Sequence, residues 1–237
     1  MEQMLGVIGG MGPLASQLFY KLLTEQTQAD TDQEHIRMLL LSDTGMPDRT
    51  AAILSGQTEP LRKRLLQDAQ FLEQSGCSAI AVTCNTAHFF LDLIAPELSI
   101  PVLHMVRETT QEASRRFPGG KVAILATDGT IQTGLYQHAL REQDLRFYTP
   151  GAATQRLVMS EIYDRVKRGL PADMVMWEEI ERELQSAGCD TALLACTELS
   201  CIRDQNHLSG FYIDPLEVLA RHAIRFMGKR IRPSHEG

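Results

Sequence analysis

The sequence contains one phrase twice. Residues 75–88 read SGCSAIAVTCNTAH, and residues 187–200 read AGCDTALLACTELS. In each copy a small residue and a glycine precede a cysteine, and a second cysteine follows seven positions later. Five cysteines in 237 residues make chance a poor explanation for this repetition. It predicts that the chain folds as two related halves.

Short apolar runs alternate with amphipathic stretches along the chain, a pattern typical of parallel βαβ units. Nearly continuous apolar strands imply sheets that helices cover on both faces. The stretches between the runs have helical spacing, as in Leu61, Leu65, Ala69 and Leu72, which share one face. We predict eight strands, at residues 4–9, 36–42, 78–84, 101–105, 121–127, 145–150, 190–196 and 211–214.

A second correspondence supports two halves. In GVIGGMGPLASQLFYKLL and VAILATDGTIQTGLYQHAL a strand ends at a glycine turn and continues into a helix. Aligning Gly12 with Gly129 gives an offset of 129 − 12 = 117, close to the offset of 196 − 84 = 112 between the second cysteines of the phrases. The same alignment pairs Phe19 with Tyr136.

These patterns predict an α/β fold of two lobes, each a mostly parallel sheet flanked by helices. We expect the last helical segment, DPLEVLARHAIRFMG, to return to the first lobe. The active site would lie in the cleft between the lobes. The predicted N-terminal lobe comprises residues 1–105 and 208–237, and the C-terminal lobe comprises residues 106–207.

Charge and hydropathy exclude several classes of function. The net charge of −7 argues against a nucleic-acid surface, because phosphate binding requires a basic face. The N-terminus, MEQMLGVIGG, resembles neither a signal peptide nor a membrane span, and no apolar run approaches 18 residues. We therefore expect a cytoplasmic protein with reduced thiols and without a membrane partner.

The cysteine spacing excludes the usual structural roles. Seven residues of strand span roughly 23 Å, and an odd separation places side chains on opposite faces. Cys77 therefore cannot pair with Cys84 or share a metal ion with it, and the same holds for Cys189 and Cys196. Cys84 and His88 could approach each other, but two ligands do not make a metal site, so we predict none. We expect Cys77 and Cys189 to be small buried side chains.

Cys84 and Cys196 close their strands, and ligands of open α/β sheets bind beyond the carboxyl ends of strands. Each is followed by residues that can start a helix, whose exposed N–H groups would stabilise a thiolate. Two thiols on opposite sides of a carbon could invert its configuration, since one would remove a proton and the other would deliver one. With each sulfur ~3.5 Å from the carbon, the two sulfurs would be about 7 Å apart.

Five motifs along the chain resemble those of one enzyme family. GGMGP (9–13), PDRT (47–50), TCNTAH (83–88), IYDRVKRG (162–169) and ACTEL (195–199) are similar, in this order, to the aspartate racemases of the aspartate/glutamate racemase superfamily. The resemblance covers nearly the whole chain. It implies two Rossmann-like lobes related by a pseudo-twofold axis, a homodimer, and interconversion of L- and D-aspartate, or of glutamate, without pyridoxal phosphate or another cofactor.

The resemblance also implies roles for individual residues. Cys84 and Cys196 match the two acid/base cysteines, and Arg49 and Lys167 match cations that bind the side-chain carboxylate. An acidic protein that binds a dianionic amino acid needs such local cations, and arginine offers a bidentate fork. Glu198 could orient the substrate ammonium group, assist Cys196 or cap a helix. The residues expected to hold the α-carboxylate and amino group are Met11, Asn85, Thr86 and Thr197.

Related enzymes remain as alternatives. Glutamate racemases open with a motif like D-S-G-x-G-G and place Thr-His after the second cysteine. GGMGP and Cys196-Thr197-Glu198 favour the aspartate type here, although they do not settle the substrate. A hydantoin-type racemase or a maleate cis-trans isomerase would use a similar cysteine pair.

One alternative comes from a different class. The stretch from Gly10 to Ala15 satisfies the dinucleotide fingerprint G-x-G-x-x-A after a strand, and Asp43 follows the second strand. This combination predicts an NAD-linked dehydrogenase, but it leaves the repeated cysteine phrase unexplained. The glycines could instead let backbone N–H groups approach a substrate carboxylate.

Overall fold

The computed structural model describes residues 3–233 and contains two four-stranded parallel sheets with equivalent strand orders. The first sheet has the order β2-β1-β3-β4 and the second β6-β5-β7-β8. All eight predicted strands are present, each shorter than predicted at one or both ends, and the α/β fold class is confirmed. The strands are β1 (Leu5–Gly9), β2 (Met38–Ser42), β3 (Ala79–Val82), β4 (Val102–Leu103), β5 (Lys121–Ala126), β6 (Arg146–Tyr148), β7 (Thr191–Ala195) and β8 (Tyr212–Ile213).

The strand register repeats between the sheets. Leu5 of β1 lies between Met38 and Ala79, and Val122 of β5 lies between Phe147 and Thr191. The residues of β1, β3 and β7 are completely buried, as expected for strands that helices cover on both faces.

Helices occupy most of the sequence between strands. A π-helical stretch, Glu161–Arg165, and a 3-10 turn, Val166–Arg168, continue the eighth helix. The α-helices of the described residues are α1 (Pro13–Gln26), α2 (Arg49–Ser55), α3 (Glu59–Gln74), α4 (His88–Ile94), α5 (Met105–Arg116), α6 (Asp128–Thr133), α7 (Leu135–Arg141), α8 (Ala152–Ser160), α9 (Met174–Ser186), α10 (Thr197–Asn206) and α11 (Pro215–Phe226). None of the helices within residues 3–233 is long and apolar enough to cross a membrane.

The last helix packs against both halves of the chain. It contacts α1 of the first half, and it also contacts α5 and β7. Its apolar face, including Leu216 and Leu219, belongs to one buried cluster that also contains Leu5 of the first sheet and Leu125 of the second. The predicted lobe boundaries stay a prediction, and residues 1–2 and 234–237 lie outside the described residues.

The α3 face was predicted correctly, since its four apolar residues are completely buried. They pack in a cluster confined to the first half, whereas a third cluster around β5 and α7 is confined to the second. The shared cluster contains residues from strands of both sheets, so the two sheets pack against one common core.

Candidate active site

The two cysteine phrases meet where their strands end. Thr197, which follows Cys196, donates its hydroxyl hydrogen to the carbonyl oxygen of Thr83, which precedes Cys84, at 3.4 Å. Both thiols are free, and each cysteine is only 6% exposed. The structure therefore brings together the two segments that the sequence analysis selected.

Cys196 belongs to a buried hydrogen-bonded chain with a carboxylate and an amine. It is the N-cap of α10, and its Sγ–H donates to Oε2 of Glu198 at 3.0 Å. The other carboxylate oxygen, Oε1, accepts from Nζ of Lys167 at 2.6 Å. Glu198 thus connects Lys167 to the Cys196 thiol, so the second of its three expected roles is the one its contacts support.

The helix N-terminus does favour the Cys196 thiolate as expected, through the backbone N–H of Glu198, but larger effects oppose it. Burial raises the pKa of Cys196 well above its usual range, and the negative charge of Glu198 raises it further, against a smaller opposing effect of Lys167. The helix terminus contributes only about 0.3–1 kcal/mol at most sites, which is too little to offset burial of a thiolate beside a carboxylate. Cys196 is therefore held as a thiol.

Lys167 is a cation whose side chain is 23% exposed and already has partners. It lies in the 3-10 turn after the π-helical stretch, an irregularity often found at functional sites. Burial alone would lower its pKa, but the negative charge of Glu198, together with that of Cys196 whenever this thiol ionises, outweighs burial and raises it. The amine also lies 5.3 Å from the centre of the Tyr163 ring. One of its three N–H bonds serves Glu198, which leaves others for a ligand.

Arg49 places a second cation beside Cys84. It is the first residue of α2, which Asp48 caps, and its guanidinium donates to the carbonyl oxygens of Met11 at 2.9 Å and Pro47 at 3.0 Å. Burial opposes its charge, but an ionised Cys84, Asp48 and Glu198 together raise the pKa of Arg49. Among the described residues, its buried Nε has no hydrogen-bond partner.

Asn85 offers another unused donor. Its Oδ1 accepts a hydrogen bond from the hydroxyl of Tyr136, which fixes the orientation of the amide. The amide nitrogen is buried and has no partner within residues 3–233. Asn85 Nδ2 and Arg49 Nε are thus two buried donors without acceptors near Cys84, and buried donors normally have partners.

The other predicted binding residues already have protein partners. The Thr86 hydroxyl is 2.8 Å from the hydroxyl of Thr130 and 3.2 Å from that of Thr127. These contacts join the Cys84 segment to the start of α6 in the second half. The Thr197 hydroxyl is used by Thr83, as described above, and the Met11 carbonyl by Arg49. We therefore expect the two threonine hydroxyls and the Met11 carbonyl to shape the site. They can contact a ligand only through hydrogen-bonding capacity that their protein partners do not use.

The site is closed in this structure. Met11, Cys84, Asn85, Cys196 and Glu198 are all buried. A cavity of about 510 Å³ reaches Tyr163, whose hydroxyl donates to Asp48, the cap of the helix that carries Arg49. The two thiols are therefore largely shielded from solvent in this structure.

The space beside the glycine loop, residues 9–13, is filled by the Glu198 side chain. Gly10 has a φ of +86°, and a Cβ at Gly12 would lie 3.1 Å from Oε1 of Glu198. The pyrophosphate of a dinucleotide would therefore meet a carboxylate at the start of α1, and Asp43 forms an ion pair with Arg64 at 2.6 Å. This geometry disfavours the NAD-linked alternative and shows that the absent side chain at Gly12 makes room for Glu198.

Sequence reasoning missed four residues that frame the site: Thr127, Thr130, Tyr136 and Tyr163. Thr127 could have been found, because it follows the carboxyl end of β5 as the cysteines follow theirs. Tyr136 was aligned with Phe19, and its additional hydroxyl was the signal that this position does more than fill the core.

The chain resembles known racemases along nearly its whole length. Residues 8–223 match the family described as Asp/Glu/Hydantoin racemase. The chain is 27% identical over 227 residues to the broad specificity amino-acid racemase RacX of Bacillus subtilis, which covers 93% of this chain and 96% of RacX. A glutamate racemase of Corynebacterium glutamicum is 29% identical over 141 residues, 58% of this chain and 50% of that protein. The structure of Picrophilus torridus aspartate racemase matches with a TM-score of 0.80 at 30% identity and covers 97% of this chain and 96% of that one.

Proposed function

Since the chain belongs to the Asp/Glu/Hydantoin racemase family, we propose that it racemises aspartate, with Cys84 and Cys196 as the acid/base pair. The observation that carries this proposal is the meeting of the two cysteine segments, with Arg49 beside one thiol and Glu198 beside the other. The two thiols thereby have opposite electrostatic surroundings, which suits a pair in which one acts as base and the other as acid.

The reaction consists of two proton transfers on opposite faces of one carbon. The Cys84 thiolate, opposite the Arg49 cation, removes the Cα proton and becomes a thiol. The Cys196 thiol delivers its proton to the other face and becomes a thiolate, which Lys167 stabilises. One proton is taken and one is given, so the total charge is unchanged and the configuration is inverted. The reverse direction starts from the opposite protonation states.

The difficult step is removal of a proton from a weakly acidic carbon. Negative charge develops toward the α-carboxylate, and donors fixed in a water-excluded site stabilise such charge strongly. Asn85 Nδ2 is a buried donor available for it, and Arg49 Nε, expected from the sequence to bind the side-chain carboxylate, is a second one. The remaining N–H bonds of Lys167 are suited to the second carboxylate of the substrate. Both transfers use cysteine, so the proposal requires no cofactor.

The substrate range has a second candidate. The likeness to RacX of Bacillus subtilis favours a broader set of amino acids, whereas the likeness to the Picrophilus torridus enzyme favours aspartate. Two cations near the thiols, the buried Arg49 and the partly exposed Lys167, support an acidic substrate. A substrate with a neutral side chain would leave one of these cations without a ligand carboxylate.

Incubation with L-aspartate in heavy water, without added cofactor, tests the proposal. We expect D-aspartate that carries deuterium at Cα, resolved on a chiral column and identified by mass. Parallel incubations with L-glutamate and L-alanine measure the substrate range. Recovery of all three amino acids as unlabelled L-enantiomers would contradict racemisation, while labelling of alanine as fast as aspartate would support the broad-specificity candidate.

A further inference from the structure

His88 is a buried histidine whose two ring nitrogens both have partners. It is the first residue of α4 and is completely buried. Its Nδ1 lies 2.8 Å from the carbonyl oxygen of Cys84, and its Nε2 lies 3.1 Å from the backbone nitrogen of Met105. Met105 begins α5, where the first N–H groups have no partner inside the helix.

These contacts determine the tautomer. A backbone N–H can only donate, so Nε2 must be unprotonated and accept from Met105. A neutral imidazole then has its hydrogen on Nδ1, which donates to the Cys84 carbonyl. Burial lowers the pKa of His88 to about 3, and the neighbouring His104 ring, 5.1 Å away between centroids, contributes to this lowering. The ring is therefore neutral near pH 7.

The Cys84 carbonyl depends on this side chain because the backbone does not supply the usual bond. The N–H of His88 would reach Cys84 in an α-helix, but it donates to Asn85 at 3.0 Å instead. Cys84 was expected to lead directly into a helix, whereas a turn over residues 85–87 intervenes. By contrast, the carbonyl of Cys196 accepts from the N–H of Leu199 at 2.9 Å.

The second half provides an internal comparison. The offset between the cysteines, 196 − 84 = 112, aligns His88 with Ser200. Ser200 donates to Oδ1 of Asp214 at 2.7 Å, and this oxygen accepts from the N–H of Leu216 at the start of α11. His88 thus connects α4, which follows Cys84, to α5, which follows the last strand of the first sheet. Ser200 likewise connects α10, which follows Cys196, to α11, which follows the last strand of the second sheet. His88 additionally bonds to the cysteine carbonyl.

We propose that His88 is a positioning residue for Cys84: its Nδ1–H fixes the Cys84 carbonyl and thereby the direction of the thiol. The inference rests on the acid/base role proposed for Cys84. It gives the histidine that ends the TCNTAH segment a role in holding the Cys84 backbone. A displacement of about 1 Å at a reacting group can cost roughly 100-fold in rate, so a single backbone bond can matter.

Two substitutions separate the two ring contacts. His88→Asn places an amide nitrogen near the position of Nδ1 and keeps the bond to Cys84, whereas His88→Gln places its amide near Nε2 and keeps only the bond to Met105. We expect kcat to fall at least ~10-fold in His88→Gln and by less than ~3-fold in His88→Asn, with KM changed by less than ~3-fold in both. Ser200→Ala is the matched control, which should lower Tm but change kcat by less than ~3-fold.

If His88 had only a structural role, the loss of kcat in each variant would follow the loss of Tm. It would not depend on which of the two ring contacts the variant keeps. Equal losses of kcat in His88→Asn and His88→Gln would therefore overturn the inference. Nitrogen-15 NMR of the histidines provides a test without substrate: we expect the Nδ1–H form for His88, and an Nε2–H signal would overturn it.

If the wild-type protein exchanges no Cα hydrogen, the proposed function fails separately. The rate of Cys84 alkylation by iodoacetamide then replaces kcat: a change confined to His88→Gln supports the inference, and equal rates in both variants overturn it.

Discussion

The Glu198→Gln substitution tests how the site controls its second thiol. Glu198 accepts the Cys196 S–H at 3.0 Å and pairs with Lys167 at 2.6 Å. Its side chain is only 5% exposed, and that of Lys167 is 23% exposed, so solvent screens the pair poorly. Glutamine preserves the shape of the side chain but removes the negative charge.

The loss of charge should act on both partners. The charge of Glu198 and its hydrogen bond raise the pKa of Cys196, whereas Lys167 lowers it, so the pKa of Cys196 should fall in the variant. Removing one partner from a fully buried ion pair costs about 3–5 kcal/mol. Lys167 is partly exposed and can still donate to the glutamine oxygen, so we expect a loss of about 1–3 kcal/mol in the free energy of unfolding.

The pH dependence of alkylation measures the effect on the thiol. Iodoacetamide labelling of Cys196, quantified by mass spectrometry, should begin at lower pH in Glu198→Gln than in the wild type. Glu161→Gln is the matched control, because Glu161 is also a completely buried carboxylate but its partner is the backbone N–H of Asp173. An unchanged or higher labelling midpoint for Cys196 in Glu198→Gln would refute the reasoning.

Two further predictions concern stability. Burial raises the pKa of Asp214 to about 6, so protonation of this carboxyl stabilises the native state, fully below about pH 4 and progressively less as pH rises through 6. Urea unfolding from pH 4 to 7 should show the wild type losing about 2 kcal/mol relative to Asp214→Asn, and parallel curves would contradict this. Gly129→Ala would place a Cβ 2.9 Å from Cα of Thr50, so we expect α2 and α6 to separate at a cost of about 1–3 kcal/mol. Thermal unfolding measures this loss, and an unchanged Tm would count against the close packing of the two halves.

The fold was predictable because its signals are local and repeated. Residues 122–126 of β5 form a continuous apolar run, and the α3 face has regular helical spacing. The repeated cysteine phrase, at residues 75–88 and 187–200, predicted two related halves, and the equivalent strand orders of the two sheets confirm this. The position of α11 was harder to predict, because an amphipathic helix does not specify which of two sheets it will cover.

In the candidate site, only the residues at the ends of strands could be predicted from the sequence. Cys84 and Cys196 could be selected because they end strands, and the structure brings their segments together. The partners of Glu198 could not be predicted, because Lys167 is separated from it by 31 residues and approaches through a π-helical irregularity. His88 was considered only as a metal ligand, since its actual partner at Met105 becomes visible only in the folded chain.

The central claim is that two thiols act on one carbon from opposite faces, and single-cysteine variants test it most directly. Cys84→Ala and Cys196→Ala should each abolish interconversion of L- and D-aspartate. In heavy water, the remaining cysteine of each variant should exchange the Cα hydrogen of one enantiomer only, and the two variants should act on opposite enantiomers. Cys77→Ala and Cys189→Ala, which change the first cysteine of each phrase, should retain interconversion. Racemisation that persists in Cys84→Ala or Cys196→Ala, or exchange of the same enantiomer by both, would contradict the claim.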